Sequence, residues 1–442
     1  MKRNLFVGAT FVALFVTLGV GQNLLVQKAA AQAKAAGQAP MFEVDPFWPK
    51  PMPNNWVFGQ TIGLGIDEKD QIWIIHRGND PGNLDNTELA FPPPAGRGGA
   101  AGRGGAAPGR GGAAAGRGEG AAPATPPAAP RRVSECCNPA PPVVAFDPAG
   151  NVVASWGGPS VTAEWPDSNH GITIDNKGFV WIGGNGGPDS HILKFTREGK
   201  LVAEYGKKGA RLDAQGQPVR NSNDMNAFGR VAKIWIEPKA NEAYVADGYF
   251  NRRVAVLDMD TGKIKRYWGG SGEPPNDGDL PPYDTKAPPI KAFRNPVHCA
   301  VVSNDGFVYV CDRVNDRVQV FTKDGKFVKE KQIFPETLSD GSVWDIAFST
   351  DPQQRFLYLA DGANEHVYIM DRQALEILTS FGYGGRQPGM FLGVHSIAVD
   401  SKGNIYTTET YTGKRLQKFV YKGMGPIRTD KQGAPWPSKP SQ

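Results

Sequence analysis

Apolar positions along the chain fall in short runs separated by polar, glycine-bearing turns, and one order of runs recurs. Each copy has an apolar strand, an acidic or polar hairpin with Gly, and a second, aromatic-rich strand. A polar loop follows, then a third strand that opens basic-apolar. The first strands begin HGITID at His170, VAKIWI at Val231, HCAVV at His298, WDIAF at Trp344 and HSIAVD at His395. The third strands read HILKF from His191, RVAVL from Arg253, RVQVF from Arg317, HVYIM from His366 and RLQKF from Arg415. A further first strand and hairpin, Thr61 to His76, is split by an insertion and resumes at Val143.

Six copies at a period of roughly 50–65 residues, each a short antiparallel meander, predict an all-β fold, a six-bladed β-propeller. It should span residues 55–423, with 34–54 a linker and 424–442 a tail. The last copy ends after its third strand. The segment around Trp56-Val57-Phe58 is expected to supply the missing outer strand, because an open ring would expose two sheet edges. The repeat pattern resembles the NHL repeat family over about residues 55–423.

Composition agrees: 55 Gly and 37 Pro in 442 residues favour turn-dense β structure over long helices. Charge matters only once it is located. The net +5 invites a nucleic-acid or membrane partner. Residues 94–132, a Gly/Ala/Pro-rich insertion, carry Arg97, Arg103, Arg110, Arg117, Arg131 and Arg132 against Glu119, and residues 1–33 add Lys2, Arg3 and Lys28. Removing both blocks leaves a body at about −3, mildly acidic. Met1-Lys2-Arg3, the apolar run Leu5 to Val20 and Ala31-Gln32-Ala33 read as an export signal over 1–33, the alternative being an uncleaved anchor. The chain is therefore expected outside the cytoplasm, as a monomer, without nucleic acid and without membrane contact beyond that segment.

Four cysteines fit an exported protein. Cys299 and Cys311 flank the turn Asn304-Asp305-Gly306 and should face each other across a hairpin, as a disulfide or as a thiol pair. Cys136 and Cys137 lack ligand spacing and read as a loop anchor.

The six histidines carry the chemistry. The residue opening the first strand is His170, His298 and His395 in copies two, four and six, and Ile62, Ala232 and Trp344 in the others. Alternate blades of a six-fold ring lie about 120° apart, so three imidazoles should converge on the channel axis. Three neutral His with an open fourth position suit zinc. His191 and His366, at third-strand starts, read as repeat residues. The loop after each second strand shares the face of the three His. Those loops carry His76-Arg77-Gly78, Asp247-Gly248-Tyr249 and Asp312-Arg313. Two guanidiniums beside a cation favour an anionic substrate. A metal and an Arg would lower the pKa of Tyr249 and make it a base. Asp247 and Asp312 read equally as turn residues.

These residues together resemble the peptidyl-α-hydroxyglycine α-amidating lyases, whose six-bladed NHL-type propeller holds zinc through three His on alternate blades. The resemblance rests on His76-Arg77-Gly78, Asp247-Gly248-Tyr249, His170-Gly-Ile-Thr-Ile-Asp, Pro296-Val-His298 and Val394-His395-Ser, in the family's order, with Asp312-Arg313 a looser match. It implies C–N cleavage of a carbinolamide to an amide and glyoxylate, on a small anionic substrate or peptide C-terminus. It also implies zinc at His170, His298 and His395, catalysis by Tyr249 and Arg77, and carboxylate binding by Arg77 and Arg313. The family commonly has Asp after its last zinc His, in a calcium site. Ser396 stands there in this chain, leaving carbonyls near Leu64 and Ile172 as the remaining contributors. Asn79-Asp80-Pro81-Gly82 replaces the family's Trp-Asp after HRG, and with six His nearly all assigned no copper monooxygenase module is expected before the propeller. Two other classes compete: a different metal-dependent channel enzyme such as a lactonase-type hydrolase, and a non-catalytic binding propeller whose Gly-Arg-Gly insertion resembles RGG tracts.

Overall fold

The hairpin acids explain why the repeat folds as it does. In the first copy Asp67 Oδ1 accepts the N–H groups of Lys69 and Gln71 at 2.8 and 2.9 Å, and Oδ2 accepts Trp73 Nε1–H at 3.0 Å. Asp175 repeats the pattern with Lys177, Phe179 and Trp181, and Asp400 with Lys402, Asn404 and the Tyr406 hydroxyl. One carboxylate thus closes the turn and pins the aromatic of the second strand. The basic residue opening the third strand returns to the end of the second. Arg253 pairs with Asp247 and Arg317 with Asp312, each at 2.8 Å and fully buried. Asp247 and Asp312 therefore serve the turn, the structural alternative left open by the sequence.

The computed structural model describes residues 37–78, 83–84, 136–427 and 434–437. The segments 1–33 and 94–132, read as export signal and insertion, lie outside the described residues. Six four-stranded antiparallel sheets form the blades. Their innermost strands are Thr61–Ile66, Asn169–Ile174, Val231–Glu237, Val297–Val302, Asp345–Phe348 and Val394–Val399. Second strands such as Val180–Gly184 and Glu242–Asp247 are buried on both faces, because each blade is sandwiched between two others. Outer strands such as Phe327–Gln332 are largely exposed. Among the described residues no helix is long and apolar enough to cross a membrane.

Ring closure differs from the sequence expectation. The outer strand of the sixth blade is Gln38–Val44, paired antiparallel with Leu416–Pro426. The stretch assigned as linker (34–54) thus holds the closing strand, and the propeller continues to Pro426, into the assigned tail. Trp56–Val57 instead makes a two-residue parallel ladder with Asn138–Pro139. The reason is apolar payload: Ala39, Phe42 and Val44 are buried, whereas Trp56 and Val57 are only half-buried. Phe42 meets the rings of Tyr358, Phe381 and Tyr421 at centroid distances of 5.5, 5.7 and 5.8 Å. Cys299 and Cys311 are register partners joined by a disulfide, with Cα atoms 4.8 Å apart, and Cys136 is bonded to Cys137.

Phe42→Ala is expected to cost about 3–5 kcal/mol, the usual loss for emptying a buried aromatic site, read as a lower urea midpoint. A midpoint unchanged from wild type would mean that this strand does not close the ring.

Candidate metal centre

A single backbone irregularity builds the site. On the innermost strands of blades two, four and six the ladder register slips between Asn169 and Ile172, Val297 and Cys299, and Val394 and Ser396. The skipped positions hold His170, His298 and His395. A β-bulge re-aims the side chain of its unpaired residue, here towards the axis. The same slip occurs at Ile62 in blade one and Ala232 in blade three, while Trp344 sits just ahead of its ladder in blade five. A residue outside the ladder keeps its carbonyl free to accept another partner.

Those carbonyls are used. His170 Nδ1 lies 2.7 Å from Ala232 O, and His298 Nδ1 is hydrogen-bonded to Trp344 O. His395 Nδ1 lies 3.3 Å from Ser396 Oγ, which donates its only proton to Ile62 O at 2.8 Å. Every partner of Nδ1 is thus an acceptor, so Nδ1 carries the proton and Nε2 keeps its lone pair, the tautomer that binds metal. The three rings are buried, with centroids 4.8–5.2 Å apart and potential ligand atoms within 4.8 Å of one another. Desolvation, reinforced by Arg313 at each ring and by Arg77 at His170 and His395, drives all three pKa values well below the ordinary imidazole value, so the rings stay neutral. These residues fit zinc.

Tyr249 reaches the centre of the ring. Its hydroxyl lies 2.8 Å from His170 Nε2 and 3.1 Å from His298 Nε2. Asp247 anchors this loop through Arg253, and Gly248 passes the backbone of Val297 so closely that a Cβ there would collide with it. Burial raises the Tyr249 pKa, and the opposing pull of Arg313 and Arg77 does not cancel it. As a phenol, the Tyr249 hydroxyl donates to imidazole.

Arg77 is set by His76. That buried ring accepts the N–H groups of Gly78 and Gly59 on Nδ1, at 2.9 and 3.3 Å, and its Nε2–H bonds Pro141 O at 3.0 Å. Arg77 then crosses to blade two, donating to Asn169 O at 3.0 Å and Asn185 Oδ1 at 2.6 Å. Arg313 lies over the Trp344 ring, 4.5 Å from its centroid, with Nη2 3.4 Å from Asp340 and its buried Nε without a hydrogen-bond partner. Tyr411 donates to the same Asp340 at 2.6 Å. The structure therefore gathers every residue chosen from sequence at one channel mouth. It adds Trp344, Asn169, Asn185, Asp340 and Tyr411. Of these only Trp344, by its register position, carried a sequence signal.

Calcium does not fit below the ring. A cavity of only about 10 Å³ there is bordered by Leu64, Ile172, Ser396, Lys233 and Asp345. Calcium wants six to eight oxygens, carboxylates among them. The one carboxylate lining this cavity, Asp345, is held by the Lys233 ammonium at 2.6 Å.

No protein-family model matches the chain. The rat peptidylglycine alpha-amidating monooxygenase is 25% identical over 253 residues, which are 55% of this chain and 22% of that protein. The chain thus spans about a fifth of the length of such relatives. A probable peptidyl-alpha-hydroxyglycine alpha-amidating lyase of Caenorhabditis elegans is 22% identical over 254 residues, 56% of this chain and 63% of the relative. The mouse NHL repeat-containing protein 3 is 24% identical over 299 residues, 63% and 73% respectively. Among solved structures, a streptogramin B lyase shares 12% identity over 86% of this chain and 98% of its own, with a TM-score of 0.45. The sequence relatives bear out the resemblance to the amidating enzymes and to the NHL repeat.

The four buried neutral rings make stability pH-dependent. Burial lowers the His76 pKa to about 4, against 6.5 for a free imidazole, and the three channel rings are lowered too. As pH falls the unfolded chain takes up protons first. Stability is thus full above about pH 6.5 and lost towards pH 4, with roughly 3 kcal/mol from His76 alone. The Tm of metal-free protein should fall across that window, and a flat profile would contradict the buried neutral rings.

Proposed function

We propose that this chain is an exported, zinc-dependent lyase that breaks the C–N bond of a peptidyl-α-hydroxyglycine-like carbinolamide, giving an amide and glyoxylate. The observation that carries this reading is the cluster of three buried imidazoles, two of which meet the Tyr249 hydroxyl through Nε2, with two guanidiniums at the same mouth. The resemblance to amidating enzymes supplies the reaction class.

His170, His298 and His395 would hold the zinc, which when bound supplies a Lewis acid that acidifies the substrate hydroxyl and the neighbouring phenol. His170 and His298 holding a cation through Nε2 would no longer accept from Tyr249, whose phenol would then give its proton to solvent and face the substrate as phenolate. In the reaction the Tyr249 phenolate takes the hydroxyl proton, the C–O bond becomes a carbonyl, and the C–N electrons pass to the amide nitrogen. The fragmentation is proton-neutral overall, so the proton removed from oxygen can be returned to nitrogen by the same phenol. Arg77, held by Asn169 and Asn185, and Arg313, backed by Trp344, bind the carboxylate. The substrate is therefore a small anion or a peptide C-terminus.

Purified protein is expected to contain near-stoichiometric zinc, lost in His170→Ala, His298→Ala or His395→Ala, and to release glyoxylate from an acyl-α-hydroxyglycine. Tyr249→Phe should keep zinc and lower kcat about 10²–10⁴-fold, the usual worth of an acid–base group. Arg77→Ala should raise KM and lower kcat. Folded protein free of zinc, or a Tyr249→Phe rate equal to wild type, sinks the reading.

A further inference from the structure

Beneath the ring the channel holds a charged pair that the proposed chemistry does not use. Lys233 Nζ lies 2.6 Å from each carboxylate oxygen of Asp345, with side-chain exposures of 13% and 1%. Asp345 also accepts the N–H of Ile346 at 2.9 Å and of Ile397 at 3.0 Å. The pair links blades three and five across the axis, and the carboxylate reaches on into blade six.

Its neighbours in sequence are the supports of the ring. Lys233 follows Ala232, whose carbonyl accepts from His170, and Asp345 follows Trp344, whose carbonyl accepts from His298. Ile397 lies two residues beyond His395 on the same strand. A buried ion pair returns little or no net stability over an apolar pair of similar volume, because desolvation consumes the Coulomb gain. Stability alone therefore gives no reason for charges here, whereas geometry does. Two oxygens taking four hydrogen bonds from three donor groups leave few ways to arrange three strands.

We propose that Lys233 and Asp345 are positioning residues for the metal-binding histidines. They fix the backbone of Ala232, Trp344 and the His395 strand so that the three Nε2 atoms stay within coordination distance. The ammonium is the channel's own cation below the ring, and calcium is not required. This rests on the metal reading of the ring, not on the lyase reaction.

The test is metal binding. Zinc affinity, measured by chelator competition, and the visible absorption of the cobalt(II)-substituted protein report ring geometry without reference to turnover. Lys233→Met is expected to weaken zinc binding about 10–100-fold, the range for outer supports of metal ligands, and to alter the cobalt bands. Lys233→Arg should retain most of the affinity. The uncharged double variant Lys233→Met/Asp345→Leu leaves no buried charge behind and should keep the wild-type Tm while still binding zinc weakly. Double-variant protein with wild-type affinity and cobalt spectrum would reduce the pair to a structural role and overturn the proposal. Millimolar calcium should leave the wild-type Tm unchanged, and a calcium-dependent rise would overturn the second half. Wild-type protein without zinc affinity would instead overturn the metal reading itself.

Discussion

The bulge at one register position of successive innermost strands is the constraint on which the site depends. It does two jobs with one irregularity. On even blades it turns an imidazole to the axis; on odd blades the residue outside the ladder offers a carbonyl that holds that imidazole's outer N–H, directly from Ala232 and Trp344 and through Ser396 from Ile62. Three rings with lone pairs facing one another at this distance repel. The Tyr249 hydroxyl bridges His170 and His298 from within, and the outer hydrogen bonds hold the rings from behind. Blade alternation is therefore a chemical requirement: histidine in all six positions would leave each ring's support to be supplied from elsewhere.

Electrostatics follows from that frame. The rings are neutral because they are buried, and the two cations beside them are tolerated because each has its own partner. Arg77 is spent on amide oxygens of blade two, and Arg313 on an indole face with an acid alongside. The mouth thus stays receptive to an anion although the propeller body is mildly acidic, and the +5 of the chain has no part in this.

The repeat and the alternate histidines were legible in the sequence because both are written in register, which survives any distance between blades. Tyr249 and Arg77 were legible for the same reason, each following a second strand. What sequence did not carry is what backbone atoms do. Ala232 and Ile62 are apolar residues whose importance lies in a carbonyl, and no side-chain pattern marks it. Lys233 and Asp345 sit inside strands that read as apolar, and their pairing spans two blades. The closing strand escaped notice because Gln38–Val44 contains Pro40 and lacks a hairpin of its own, so it resembles a linker until its partner is known.

The sixth blade is assembled from both ends of the propeller, Gln38–Val44 and Val394–Pro426, and it carries His395. Ser396 of the same blade reaches back to Ile62 of the first to support that histidine. The third ligand is thus oriented only after the two ends of the ring have met. During synthesis the earlier blades can form with His170 and His298 in place, but two imidazoles bind a divalent ion far more weakly than three. Capture of a metal by the proposed site would therefore follow ring closure and not translation. The ion taken up would be chosen from whatever the compartment of final folding supplies, since a three-histidine site by itself does not discriminate strongly among first-row metals.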